Sequence, residues 1–125
     1  MKIIVDTNML MAIEQFDIDL VSELDRVVDT SYEVIIPQTV IKELKNIYKS
    51  SEGRDSRAAK IALEFAKRFN VIETSEKGDK AIEHLANELN SVVATNDKEL
   101  IKNLSSRSIP IIRLRQGSHL EKFKN

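Results

Sequence analysis

Cysteine is absent from the 125 residues, so neither a disulfide nor a thiolate-held metal is open to this chain. Any bound metal must take oxygen or imidazole ligands. Imidazole is scarce too: His84 and His119 are the two histidines, neither has a second histidine three or four residues away, and surface positions are expected for both. Glycine is limited to Gly53, Gly78 and Gly117, too scattered to form a phosphate-cradling loop. Aromatic residues make up 5% of the chain, which excludes base stacking as the dominant way of holding a nucleic acid. No apolar run approaches the ~20 residues of a membrane-spanning helix. An acid already at position six breaks any signal-peptide core, so a cytoplasmic protein is expected.

What is present describes a globular domain. Apolar residues reach 42% and charged residues 31%, and a length of 125 suits one core rather than two, so residues 1–125 are expected to form a single domain. The net charge of −1 hides an uneven distribution. Residues 1–33 carry eight acids against Lys2 and Arg26, whereas residues 98–125 carry seven bases (among them Lys122 and Lys124) against Glu99 and Glu121. A near-neutral total can therefore accompany a basic face.

The apolar pattern alternates between strand and helix. Residues 2–5 read as a buried strand and Asp6-Thr7-Asn8 as its exit into a helix. Leu20, Leu24, Val27 and Val28 share one face of a second helix. Residues 32–36 form a strand stopped by Pro37, and Gln38-Thr39 launch a helix with Val40, Ile41, Leu44, Ile47 and Tyr48 at a 3.6 period. A polar turn over 49–55 precedes a fourth helix from Ser56, whose stripe of Ala58, Ala59, Ala62 and Ala66 predicts close helix packing. Then come a short strand at 71–72, a helix opened by Asp79, a strand at 91–94, a helix marked by Leu100 and Leu104, a last strand at 109–114 and a polar tail. Such alternation specifies an α/β fold of three layers, α/β/α, around a mainly parallel sheet, here of four to five strands.

In open parallel sheets, ligands sit beyond the carboxyl ends of the strands. Two of those exits carry polar triplets with an acid, Asp6-Thr7-Asn8 and Thr95-Asn96-Asp97. Glu43 lies about a turn into the helix after Pro37, and Asp79 starts the helix before the 91–94 strand. Each acid alone also has an ordinary reading, as a helix cap for Asp6, Asp79 and Asp97 or a surface charge for Glu43. Gathered together, two such charges ~4 Å apart would repel by about 4 kcal/mol at an effective dielectric near 20. A hard divalent cation relieves that repulsion, and Mg²⁺ or Mn²⁺ prefers carboxylate oxygen. Phosphodiester hydrolysis is the chemistry such a site serves.

The ordered segments IIVDTNML, VIIPQTVIKEL, GDKAIEHLANEL and VVATNDKEL, with the closing PIIRLRQGSHLE, resemble the PIN-domain family along nearly the whole chain. The resemblance is nearer to the archaeal Fcf1-like branch that processes rRNA and more distant from VapC-type toxin ribonucleases. It implies a PIN-like fold and a Mg²⁺- or Mn²⁺-dependent endoribonuclease. By position, Asp6, Glu43, Asp79 and Asp97 match the family's catalytic, metal-binding acids, and Asn8 and Thr95 its supporting polar residues. Two departures stand out: Lys80 occupies a position where many relatives have a second acid, and Glu99 one where toxin-like relatives carry Asp. The implied partners are RNA and either a ribosome-assembly factor or an antitoxin, with no membrane; a homodimer is common in the family, and Met9, Met11 and Phe16 would serve it or the core. Arg54, Arg57, Lys60, Arg113 and Arg115 are the basic candidates for RNA-backbone contact.

Alternatives stay open at this stage. A catalytically silent PIN-like module that binds RNA or protein in ribosome assembly would have the same outline. A receiver domain would need paired acids near its start, and a haloacid-dehalogenase-like phosphatase an acid where Asn8 stands.

Overall fold

Ile3, Ile4 and Val5 are fully buried, because β1 (Lys2–Val5) lies in the middle of its sheet with both faces covered. A computed structural model describes residues 1–123; Lys124 lies outside the described residues. After β1 follow α1 (Thr7–Gln15), α2 (Leu20–Val27), β2 (Glu33–Pro37), α3 (Gln38–Ser50), α4 (Gly53–Ala66) and β3 (Asn70–Ile72). The second half runs α5 (Gly78–Leu89), β4 (Val92–Ala94), α6 (Lys98–Ser106), β5 (Ile111–Arg115) and β6 (His119–Phe123).

The sheet order is β3-β2-β1-β4-β5-β6, parallel throughout except for the last pair. From β1 the chain moves outward through β2 to β3, then returns to β4 on the other side of β1 and moves outward again. α1 and α3 pack on α4, and α5 on α6; right-handed crossovers running in opposite directions from β1 set two such groups on opposite faces of a sheet. The order reverses between β1 and β4, and that switch point opens a crevice at the carboxyl ends of these strands. The two polar triplets exit there.

Local chemistry explains the element ends. Asp6, Asp19 and Asp97 each cap a helix by accepting from its first-turn amides. Asn90 ends α5 in the left-handed conformation (φ 53°) that Asn tolerates. Ala58, Ala59, Ala62 and Ala66 are buried on α4, and their small size lets α4 pack closely against both α1 and α3, as the alanine stripe predicts.

Among the described residues the sheet has six strands, which corrects the expected four to five. The tail expected to be merely polar forms β6, antiparallel to β5 in the register Arg113↔Glu121 and Leu114↔Leu120. Its apolar signal is thin: Leu120 is fully buried while Glu121 and Lys122 stay at the surface. The connection is a three-residue loop with Gln116 (φ 56°) and Gly117 (φ 62°) left-handed. A Cβ on Gly117 would meet the Phe16 ring at 2.9 Å, so that half-exposed ring would have to shift, and the left-handed φ would add strain. Glu23 and Arg26 of α2 complete the edge, accepting from the Leu120 amide (2.8 Å) and donating to its carbonyl (2.6 Å). Further boundaries shift: α4 starts at Gly53 rather than Ser56. Met9 and Met11 belong to the core, and Phe16 is 52% exposed.

Candidate functional site

Asp6 follows the last residue of β1 and is only 5% exposed, so its carboxylate has little water to solvate it. Its Oδ1 accepts from the Met9 amide at 2.8 Å, which fixes it as the cap of α1. Its Oδ2 accepts from the hydroxyl of Thr95, a fully buried residue at the exit of β4. The Thr95 Oγ1 in turn accepts from the Asp97 amide at 3.1 Å. One hydroxyl thus couples the two strand exits, and Thr95 sits where the family resemblance expects a supporting residue.

Asp97 caps α6: its Oδ1 accepts from the amides of Glu99 (2.9 Å) and Leu100 (3.0 Å). Capping and facing the crevice are compatible, because the cap engages one oxygen. Asn96 anchors the loop between these residues. Its side chain accepts from the Leu114 amide (2.7 Å) and donates to the Leu114 carbonyl (3.1 Å), imitating a strand partner for β5.

Glu43 projects from the second turn of α3 and is exposed. Asp79 lies in the first turn of α5, but the cap position is Lys77, which makes no side-chain capping bond. The capping role that sequence alone allows for Asp79 is therefore not the one it plays. Gly78 precedes it with φ 62°, and the Gly78 amide donates to Thr39 Oγ1 at 3.1 Å. That bond joins the start of α5 to the start of α3, the two helices bearing Asp79 and Glu43.

Asp6, Glu43, Asp79 and Asp97 line one cavity of about 200 Å³, together with Asn8 and Thr39. Asn8 is exposed and hydrogen-bonds none of the four acids; Thr95 does, through Asp6. Burial pushes the Asp6 carboxyl up to about 6, against the lowering pull of the Thr95 and Met9 hydrogen bonds, with Asp97 and Asp79 adding to the rise. The Asp79 carboxyl is also raised, first by partial burial and then by the charges of Asp97, Glu83, Glu43 and Glu99. Glu83 and Glu99 thus stand within electrostatic reach of the site.

The donor set suits a hard cation: four carboxylates, one mouth, no thiolate and no imidazole. Among the described residues, no three acids or histidines stand close enough together to enclose a metal directly. Mg²⁺ does not need such a cage, since it keeps several waters and binds one or two carboxylates at a time. A hydrated cation bound in the cavity would offset the mutual repulsion of the carboxylates that line it.

The basic candidates lie elsewhere. Arg54, Arg57 and Lys60 are on α4, with Arg57 4.0 Å from Glu14. Arg113 and Arg115 both approach Glu121 at 3.4 Å across the β5–β6 pair. None of them lines the acidic cavity. His84 pairs with Glu76, which raises its pKa, and His119 lies beside the Ser118 hydroxyl (2.9 Å), both away from the acids. Sequence reasoning missed Thr39 and Asn96; the position of Asn96 inside a polar triplet was the available signal.

Comparison with known proteins identifies relatives of the whole chain. The sequence model of a family described as PIN like domain matches residues 3–117. Ribonuclease VapC4 of Methanocaldococcus jannaschii is 34% identical over 126 residues, covering 98% of this chain and 96% of that protein. Ribonuclease VapC9 of Archaeoglobus fulgidus is 32% identical over 117 residues, 94% of this chain and 85% of that protein. Among solved structures, the PIN domain endonuclease Utp24 superposes with a TM-score of 0.81 at 27% identity, covering 99% of this chain and 92% of that one. VapBC-1 from nontypeable Haemophilus influenzae superposes at 0.62 with 15% identity, over 85% of this chain and 94% of that one, a likeness of fold.

Proposed function

This chain belongs to the PIN-like domain family, and from that premise we propose that it is a divalent-metal-dependent endoribonuclease, with residues 1–125 as one nuclease domain and the cytoplasm as its place of action. The observation that carries the reading is the convergence of Asp6, Glu43, Asp79 and Asp97 on one cavity at the switch point of the sheet. Relatives named as ribonucleases over almost the whole length supply the substrate class.

Bound Mg²⁺ or Mn²⁺ would polarise a phosphoryl oxygen and acidify a water. The protein's part is to hold acceptor oxygens at fixed places. Asp6 is locked at both oxygens by Met9 and Thr95, and Asp97 is locked at one by its own helix. Glu43 and Asp79, less buried, line the same cavity from α3 and α5, where their side chains are freer to adjust to the RNA backbone. Attack by water forms a new phosphorus–oxygen bond in line with the one that breaks, and the 3′-oxygen leaves as a hydroxyl. No enzyme-bound intermediate is required.

Resemblance to the Fcf1-like branch favours rRNA processing as the task. A toxin role with an antitoxin partner is the second reading, favoured by the two VapC relatives. A non-cutting module is disfavoured by the retention of four acids on one cavity. The test is incubation with structured and single-stranded RNA, with Mn²⁺ or with EDTA, beside Asp6→Asn and Asp97→Asn. Metal-dependent cleavage lost in both variants is expected; cleavage that persists equally in both overturns the site. Cleavage confined to structured rRNA precursors favours processing, and growth arrest on expression favours the toxin.

A further inference from the structure

A larger cavity, about 450 Å³, opens between α3, α4 and β3, away from the acids. Its floor is apolar, formed by Ile41, Tyr48, Leu63 and Val71, and Tyr48 and Val71 remain 44% and 46% exposed. Apolar side chains left this open beside a ready-made hollow make it a candidate docking surface, modest in area, so the case for an occupant rests on its charge and shape. Its rim is basic: Lys45, Lys60 and Lys67 stand against Glu64, which Lys67 already meets at 3.4 Å.

We propose that this groove docks an acidic amphipathic helix of a partner protein. The dimensions suit one. The α3 wall runs from Gln38 to Tyr48, eleven residues and so about 15 Å at a 1.5 Å rise per step, the length of roughly three helical turns. A helix with apolar residues at i, i+3, i+4 and i+7 would lay that stripe on the floor and present flanking Asp or Glu to the free lysines.

The charges and shape discriminate against other occupants. A second copy pairing through the same face would set these lysines against one another, since a two-fold interface matches a patch to itself. RNA is disfavoured by the apolar floor, where a strand would need polar or stacked contacts, and among the described residues Tyr48 is the single aromatic lining it. Position argues the same way. At about 100° per residue, the groove residues Gln38, Ile41, Lys45 and Tyr48 lie on roughly the opposite side of α3 from Thr39 and Glu43, which face the acids. The groove is not a continuation of the acidic cavity. One helix therefore carries a cavity wall on one side and a docking wall on the other. The inference is independent of the nuclease reading.

The test uses the full chain, without metal or RNA cleavage, so that failure of the nuclease reading leaves it intact. The probe is a synthetic twelve-residue helical peptide with leucines at i, i+3, i+4 and i+7 and glutamates flanking them, titrated while backbone amide NMR shifts are followed. Controls are the same peptide with lysine replacing glutamate, a ten-nucleotide single-stranded RNA, and sedimentation of the protein alone. The expected result is saturable shifts confined to the outer face of α3, to Lys60–Lys67 and to Val71. The Lys45→Glu/Lys60→Glu variant should bind the acidic peptide about tenfold more weakly and now prefer the lysine peptide. Both lysines are exposed, so the variant tests charge rather than folding. The proposal is overturned if the acidic peptide gives no saturable shifts there, if the charge exchange leaves its preference unchanged, if RNA moves the groove amides instead, or if the protein self-associates through this face.

Discussion

Replacing Asp6 by Asn should stabilise the metal-free protein at pH 8 while abolishing its proposed chemistry. In the folded state the Asp6 carboxyl is raised from 3.8 to about 6. Each unit corresponds to about 1.4 kcal/mol, so the ionised side chain weakens the fold by about 3 kcal/mol once the pH exceeds both values. The sign follows from proton binding: between pH 4 and 6 the folded state holds a proton that the unfolded chain has released. The stability due to this group is therefore complete below about pH 4 and is lost as pH rises through 6. Asn keeps the acceptor for the Met9 amide but presents an NH₂ to Thr95 Oγ1, which must then turn its proton elsewhere. That mismatch costs about 1 kcal/mol, and the weaker neutral cap about 0.5 kcal/mol. The net gain at pH 8 in EDTA is about 1–2 kcal/mol, a rise in urea midpoint of about 0.5–1 M. At pH 4 the gain should vanish or reverse. Mg²⁺ at ~100 times its dissociation constant should add about 2.7 kcal/mol to the parent and much less to the variant, reversing their order. Urea unfolding at pH 4, 6 and 8, with EDTA and with Mg²⁺, reads all of this. An Asn variant less stable than the parent at pH 8 in EDTA, with the same pH profile, would refute the electrostatic reasoning.

Thr95→Val removes the one hydroxyl that serves both strand exits, so it should destabilise by about 1–3 kcal/mol at pH 8 and by less at pH 5, where Asp6 is largely protonated; chemical denaturation at the two pH values checks it. Asp97→Ala should lose about 1 kcal/mol of cap energy that Asp97→Asn retains, while both lose metal-stimulated cleavage, so thermal melts and cleavage assays on the pair separate capping from chemistry. Arg26→Ala should leave the Leu120 carbonyl without its donor, lowering stability slightly and speeding amide hydrogen exchange in β6 ahead of β1, and equal rates in the two strands would contradict the edge-capping role.

Legibility in the sequence depended on how local the determining physics is. β1 and α3 were readable because burial on both faces demands unbroken Val and Ile, and one-sided burial demands a 3.6 period. β6 was not, because its stability comes from elsewhere: Arg113 and Arg115 across the ladder, and Glu23 and Arg26 nearly a hundred residues earlier in the chain. The four acids could be named from their order along the chain, yet their ranking in the structure follows from depth, which no spacing encodes. Asp6 and Asp79 are both raised, but Asp6 is buried against Thr95 and Met9 while Asp79 stands at the exposed start of α5. Thr39 illustrates the same limit. As a residue of the first turn of α3 it is an ordinary helix starter, and only the tertiary approach of Gly78 turns its hydroxyl into a link between the helices of Glu43 and Asp79. The carboxylates are thus readable as a set because chemistry constrains their type. The groups that hold them in place are less so, because any hydroxyl or amide at the right distance would do. It follows that substitutions at Thr39, Thr95 and Asn96 should be rescued by residues that restore one hydrogen bond, whereas substitutions at Asp6 or Asp97 should be rescued only by another carboxylate.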